Sequence, residues 1–235
     1  MTRSEIELVF TINFLAFREI DENSLHNHSE FPTSDEILQF LATDTGNLDR
    51  QSIIARYKEL TGPDHHKLFA LPGERRLVEK VFTPLRHAIG SYMLKNYLGA
   101  IALCGSVCEM LAIFTHQLHL YRLGEAATTD EQQKLLYGST FERLGQDRRV
   151  AVLKALNLID DEVAKMFNLP KEIRNNYLHW FSRPTDKISQ DAIVAWRATR
   201  DLTLRTFKIG IEDGRLTIDR TLAEYLSTMI ASQEK

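Results

Sequence analysis

Arg174-Asn175-Asn176-Tyr177-Leu178-His179 gathers the residue types in this chain best suited to chemistry. An arginine presents a planar fork of donors that matches phosphate and keeps its charge at any working pH. A histidine exchanges a proton near neutrality. On a helix, Asn175 and His179 are four apart and share a polar side. Arg174 lies about 140° away from His179. The pair therefore diverges on one straight helix. It converges if the helix bends or if two copies of the helix face each other. The plainer alternative is a helix-surface pair in which Arg174 satisfies Glu172 or another neighbouring carboxylate.

These residues need a helix to carry them. Pro170 is tolerated in a first helical turn and Asn168 can cap, so the spacing predicts a helix from near residue 169 past Phe181. Leu169, Ile173, Tyr177 and Trp180 form its apolar side, and Tyr177 reads as structural. Upstream, residues 96 to 120 are apolar nearly all round, which predicts a central buried helix. Glu109 is the acid inside that run. A buried carboxylate is costly unless paired, so Glu109 should find an arginine or lie at an interface. Cys104 and Cys108, four apart, read as two buried thiols in a reducing compartment. No metal site is expected, because residues 104 and 119 would be about 22 Å apart along the helix. His26, His28, His65 and His66 read as solvated loop residues.

The remaining chain supplies the frame. Capping boxes at Ser4 and Thr33 open helices, and a third is expected over 49 to 60 with Ile53, Ile54 and Tyr57 inward. Arg50 and Arg56 on that helix raise a DNA-associated regulator as a minor alternative. Thr61-Gly62-Pro63-Asp64 and Leu71-Pro72-Gly73 are the linker signals. A helix follows over 74 to 97, kinked by Pro84 and weakened by Gly90. Shorter helices are expected over 148–156 and 160–167, then a long one from Ser189. A hairpin around Asp213-Gly214 and an amphipathic helix over 220–231 close the chain. The expected organisation is all-α: an N-terminal helical extension (1–72), an antiparallel helical bundle (73–208), and a C-terminal hairpin and helix (209–235). The net charge of −3 over 235 residues gives no bulk basic field. The start of the chain lacks a signal-peptide pattern, and the apolar run 99–114 contains Glu109 and is short for a membrane span. The expectation is a cytoplasmic protein with no membrane segment.

The order of a long apolar helix with an internal acid, shorter helices, the R-N-x-x-x-H run at Arg174 to His179, and a closing helix at Ser189-Gln190-Asp191 resembles the HEPN superfamily over about residues 74 to 207. The resemblance implies an all-α bundle that commonly dimerises. It also implies a metal-independent endoribonuclease of toxin–antitoxin, phage-defence or RNA-processing type, or else a non-catalytic dimerisation module. Two motif helices, one from each subunit, would face each other across one cleft on RNA, with an antitoxin or other protein as a further partner. Carried over, His179 is the general acid or base, Arg174 binds the scissile phosphate, and Asn175 orients either. Glu109, Asn176 and Lys171 are candidate supporting residues. The RNA 2′-hydroxyl would be the nucleophile, so no cofactor is required. Lys171, Arg183 and Lys187 are the cations near the motif, few for an RNA enzyme.

Overall fold

The structure is a computed structural model and describes residues 50–62, 74–178, 184–207, 210–212, 215–217 and 219–231. The two expected N-terminal helices, and His179 with Trp180 and Phe181, lie outside the described residues. The chain divides into two compact units, Met1–Ile53 and Ile54–Lys235. Of the first unit only residues 50–53 are described. The second is all-α apart from two short strands.

Helix α1 (Arg50–Thr61) ends at Gly62, whose φ of +61° is the left-handed conformation that closes helices. Its buried residues include Arg56 and Leu60, while Ile54 and Tyr57 are exposed, against the expected inward face. The reason is a set of helix ends that need partners. Arg56 Nε donates to the carbonyl of Met93 at 2.5 Å, and Arg197 donates from Nε to Leu60 and from Nη2 to Glu59, at 3.2 and 2.7 Å. C-terminal carbonyls without intrahelical donors attract such cations. Arg56 is thereby committed to the interior.

Helix α2 (Thr83–Met93) is preceded by one α turn, Arg75–Leu77, and a π-helical turn, Val78–Phe82. The π turn sits just before Pro84. A proline ring clashes with the carbonyl four residues back and offers no N–H, and the wider turn relieves both. Asn96 then caps α3 (Tyr97–Leu123), its Oδ1 accepting from Gly99 N at 2.9 Å.

Helix α3 is the organising element and packs against α2, α6 (Asp161–Leu178) and α7 (Ile188–Phe207). It runs through two apolar clusters. Ile101 and Cys104 belong to one with Leu60, Ile173 and Trp196, and Val107, Cys108 and Leu111 to the other with Leu153, Phe167 and Leu202. At 27 residues α3 is long and apolar enough to cross a membrane by length and composition, longer than the run 99–114 suggested. Here its side chains fill the interior between the other helices.

Helix α4 (Asp130–Tyr137) opens with a capping box between Thr129 and Gln132. It buries Gln133 and exposes Leu135 (86 %). Gln133 Oε1 accepts from Phe141 N at 3.1 Å, and that bond fixes the 3-10 turn Phe141–Arg143 leading into α5 (Gln146–Ala155). Strands β1 (Gly210–Glu212) and β2 (Arg215–Thr217) pair antiparallel with Ile211 opposite Leu216. Helix α8 (Arg220–Ala231) starts at Asp219, which accepts from Leu222 N, and buries Leu222, Leu226 and Met229.

Helix α6 corrects one expectation. It does not start at 169. It starts after Asp160, whose Oδ1 accepts from Val163 N at 2.8 Å, and runs unbroken to Leu178 with Pro170 inside. Ala164, Phe167, Pro170 and Ile173 are all buried. Apolar burial on both sides of the proline outweighs the lost backbone bond. Asn168 therefore caps nothing, and its Oδ1 is buried without a hydrogen-bond partner.

Candidate functional site

Glu109 on α3 is the centre of the site. Its Oε1 lies 2.8 Å from Arg174 Nη1 on α6, and its Oε2 lies 3.7 Å from Arg149 Nη1 on α5. The half-buried acid finds two arginines, and three helices meet at one carboxylate. Arg174 (22 % exposed) and Glu109 (27 %) are neither fully wet nor fully dry, so solvent screens the pair only partly.

Gly105 makes this approach geometrically open. A Cβ there would stand 3.1 Å from Arg174 Cδ and 3.2 Å from Nη1. The glycine leaves room for the arginine to lie along α3, one turn before Glu109. Glycine inside a helix costs roughly 1 kcal/mol relative to alanine. That cost is spent at the contact with Arg174.

Arg149 is held by its other donors. Nη2 donates to the carbonyl of Glu142 at 2.6 Å and Nε to that of Phe141 at 3.4 Å. Arg148 Nη2 donates to the carbonyl of Tyr137 at 2.8 Å. Lys171 on α6 forms an ion pair with Asp147. A cleft of about 330 Å³ is lined by Glu109, residues 144–149, Lys171 and Arg174. Its cations outnumber its carboxylates by two: Arg148, Arg149, Lys171 and Arg174 against Glu109 and Asp147.

Of the expected site residues, Arg174, Glu109 and Lys171 therefore share one cleft. Asn175 and Asn176 are partly buried on α6 and do not line it. His179 lies outside the described residues. Tyr177 is structural: its hydroxyl donates to Asp191 Oδ2 at 2.6 Å and ties α6 to α7. Burial, then the Asp191 carboxylate, push that phenol up to about 12.

The thiols play no part at the cleft. Burial pushes Cys108 up to about 12 and Cys104 well above the ordinary thiol range, so both stay protonated. Cys108 Sγ meets Thr199 Oγ1 at 3.5 Å. Among the described residues, no group of three or more His, Cys, Asp and Glu could hold a metal ion.

Sequence reasoning started α5 at Arg148, which left Gln146 off the helix, and gave Arg148 and Arg149 no role because their place beside Glu109 depends on how the helices cross. The signal was there: Gly145 at a cap position, an acid in the first turn, then two arginines. Gly105 was also legible as a glycine inside an apolar helix, which marks a close backbone approach.

No family model matches the chain, and neither does any curated protein or solved structure.

Proposed function

We propose that this chain is an HEPN-like, cytoplasmic, metal-independent endoribonuclease of toxin, defence or RNA-processing type. It works as a homodimer whose facing motif helices build a composite site from Arg174 and His179. The supporting observation is Arg174 fixed by Glu109 at the edge of a cleft with an excess of positive charge. A preoriented guanidinium stabilises developing charge on a phosphoryl group without reorganising. In this reaction the RNA 2′-oxygen bonds to phosphorus and the bond to the 5′-oxygen breaks. His179 takes the 2′-hydroxyl proton in one subunit, and the second His179 returns a proton to the leaving oxygen. The products are a 2′,3′-cyclic phosphate and a 5′-hydroxyl. An antitoxin or other protein partner would cover the same cleft.

The experiment is RNA cleavage by the wild type and by His179→Ala, with the fold and dimer checked by circular dichroism and sedimentation. Cleavage lost at unchanged fold and dimer supports the reading. Intact tRNA and single-stranded RNA after incubation with the wild type overturn it.

A second reading is favoured by the Glu109 carboxylate, which already neutralises Arg174, and by exposed Leu178 at the end of α6. In this reading the motif helix is a non-catalytic dimer contact. Leu178→Asp would then convert the protein to a monomer, and an unchanged sedimentation coefficient would refute it.

A further inference from the structure

We propose that the groove between α1, α2 and α3 binds a small amphiphilic anion. Its apolar body lies against Ile89, Met93 and Leu103, and its single carboxylate or phosphate head meets Arg86 and His87. No residue lining this groove also lines the Arg174 cleft, and the inference goes beyond the ribonuclease reading without depending on it.

The groove holds about 750 Å³, within the range of roughly 300–1,000 Å³ typical of small-molecule sites. Three helices build it: Tyr57 comes from α1, Arg86 to Met93 from α2, and Leu103 from α3. Ile89 and Leu103 pack on the cluster around Tyr92 and Ile101, so the apolar floor is continuous with the core. Two observations point to a ligand. The first is charge. Arg86 and His87 are exposed at the groove, and among the described residues neither makes a hydrogen bond or an ion pair. Arg56 and Arg197, by contrast, are tied to backbone carbonyls. No carboxylate is found among the described residues that line the groove, so its cations complement an anion. The second is Gly90, in the middle of α2 and part of the lining. A Cβ there would meet nothing within 4 Å. Its φ is not positive, so neither a turn nor a neighbouring side chain requires glycine, unlike Gly105, which meets Arg174. Glycine weakens a helix interior, and what it preserves here is the open space of the groove. Arg86 stands one helical turn before Gly90 on the same face, which puts the anion's head and its body side by side.

The test titrates two dyes with nearly the same apolar body into the full chain and reads their fluorescence. Anilinonaphthalene sulfonate is anionic, and phenylnaphthylamine is neutral. Both should bind the wild type. Gly90→Leu fills the groove and improves the helix, so it should weaken both dyes by about tenfold or more while the melting temperature does not fall. Arg86→Gln should weaken the sulfonate roughly tenfold, the value of about one charge-assisted hydrogen bond, and leave the neutral dye unchanged. Arg220→Gln removes the same charge from the exposed face of α8 and should change neither. Octanoate and naphthyl phosphate then compete with the sulfonate: displacement by the first assigns a carboxylate head, and by the second a phosphate head. The proposal is overturned if the sulfonate does not bind, if neither competitor displaces it, if Gly90→Leu binds it as tightly as the wild type, or if Arg86→Gln weakens both dyes alike. A wild type that binds neither dye and whose sedimentation coefficient changes with Gly90→Leu uses the groove as a contact between copies, which also overturns it.

Discussion

Replacing Glu109 with glutamine should make the protein less stable and its cleft a better anion binder. Glutamine keeps the shape and one acceptor for Arg174 Nη1, now 2.8 Å from a carboxylate oxygen. A hydrogen bond to a charged group contributes about 1.5–3 kcal/mol, and a neutral one about half as much. Losing the charge at Arg174 therefore costs about 1 kcal/mol. Arg149, 3.7 Å from the other oxygen and nearly buried, loses its counter-charge as well. Removing one member of a fully buried pair costs about 3–5 kcal/mol, an upper bound for this partly exposed carboxylate. A total of about 2 kcal/mol follows, which for a domain of this size lowers the melting temperature by roughly 4–8 °C. The assay is a thermal melt of Glu109→Gln, Arg174→Met and the double variant. Direct contact predicts a coupling of about 1 kcal/mol, beyond the additivity error of roughly 0.3–0.5 kcal/mol for independent sites. The excess of cations in the cleft rises from two to three, so single-stranded RNA should bind more tightly at low salt and with a steeper salt dependence. Additive melts, or weaker RNA binding by Glu109→Gln, would refute the reasoning.

His116, stacked on Phe141 with ring centroids 3.9 Å apart, is pushed down to about 4 by burial, with the charge of His119 adding to it. Its unfolded value is 6.5, so between these pH values the unfolded chain binds the proton and the folded chain does not. Stability is complete above 6.5 and falls toward pH 4 by up to about 3 kcal/mol; urea melts should show this slope, and His116→Leu should flatten it. Gly105→Ala should gain up to about 1 kcal/mol of helix propensity and push Arg174 off α3. Its melt should stay nearly unchanged, the helix gain offsetting the loosened Arg174–Glu109 contact, while RNA cleavage falls, and retained cleavage would count against a fixed Arg174. Gln133→Leu leaves Phe141 N without its acceptor and should cost about 1–3 kcal/mol in denaturant melts, whereas Leu135→Lys on the same helix should stay within about 0.5 kcal/mol.

Periodicity alone placed α8, because Leu222, Leu226 and Met229 recur at helical spacing behind an aspartate cap. The central burial of α3 was legible because residues 96 to 120 are apolar nearly all round, and so was the need of Glu109 for an arginine. Which arginine was not legible, since that depends on how α5 and α6 cross α3. Two local rules failed where tertiary contacts opposed them. Pro170 reads as a helix start, but Phe167 and Ile173 bury on either side of it and hold α6 together. Ile54 and Tyr57 read as inward, but the open carbonyls at the end of α2 draw Arg56 inside instead. The partners that bury Phe167 and Ile173 lie on α3, and Met93 lies far from Arg56 along the chain, so a local window contains none of them.

The cleft concentrates what a fold built for stability alone would avoid. A partly buried ion pair contributes little net stability compared with apolar packing of the same volume. Each buried polar atom without a partner costs about 1–3 kcal/mol. Arg174 Nε and Gln146 Oε1 are two such atoms at one cleft, around one carboxylate and beside a glycine that makes room for an arginine. An anion would offset part of that cost on binding, giving Arg174 Nε an acceptor and the uncapped amides of α5 a negative charge. The same ligand should therefore stabilise the protein. Saturating phosphate should raise the melting temperature of the wild type and do so less for Gly145→Asp, which already carries its own carboxylate at that helix start. An equal phosphate shift in both proteins would place the stabilising anion elsewhere and leave the unpartnered polar atoms at this cleft without that explanation.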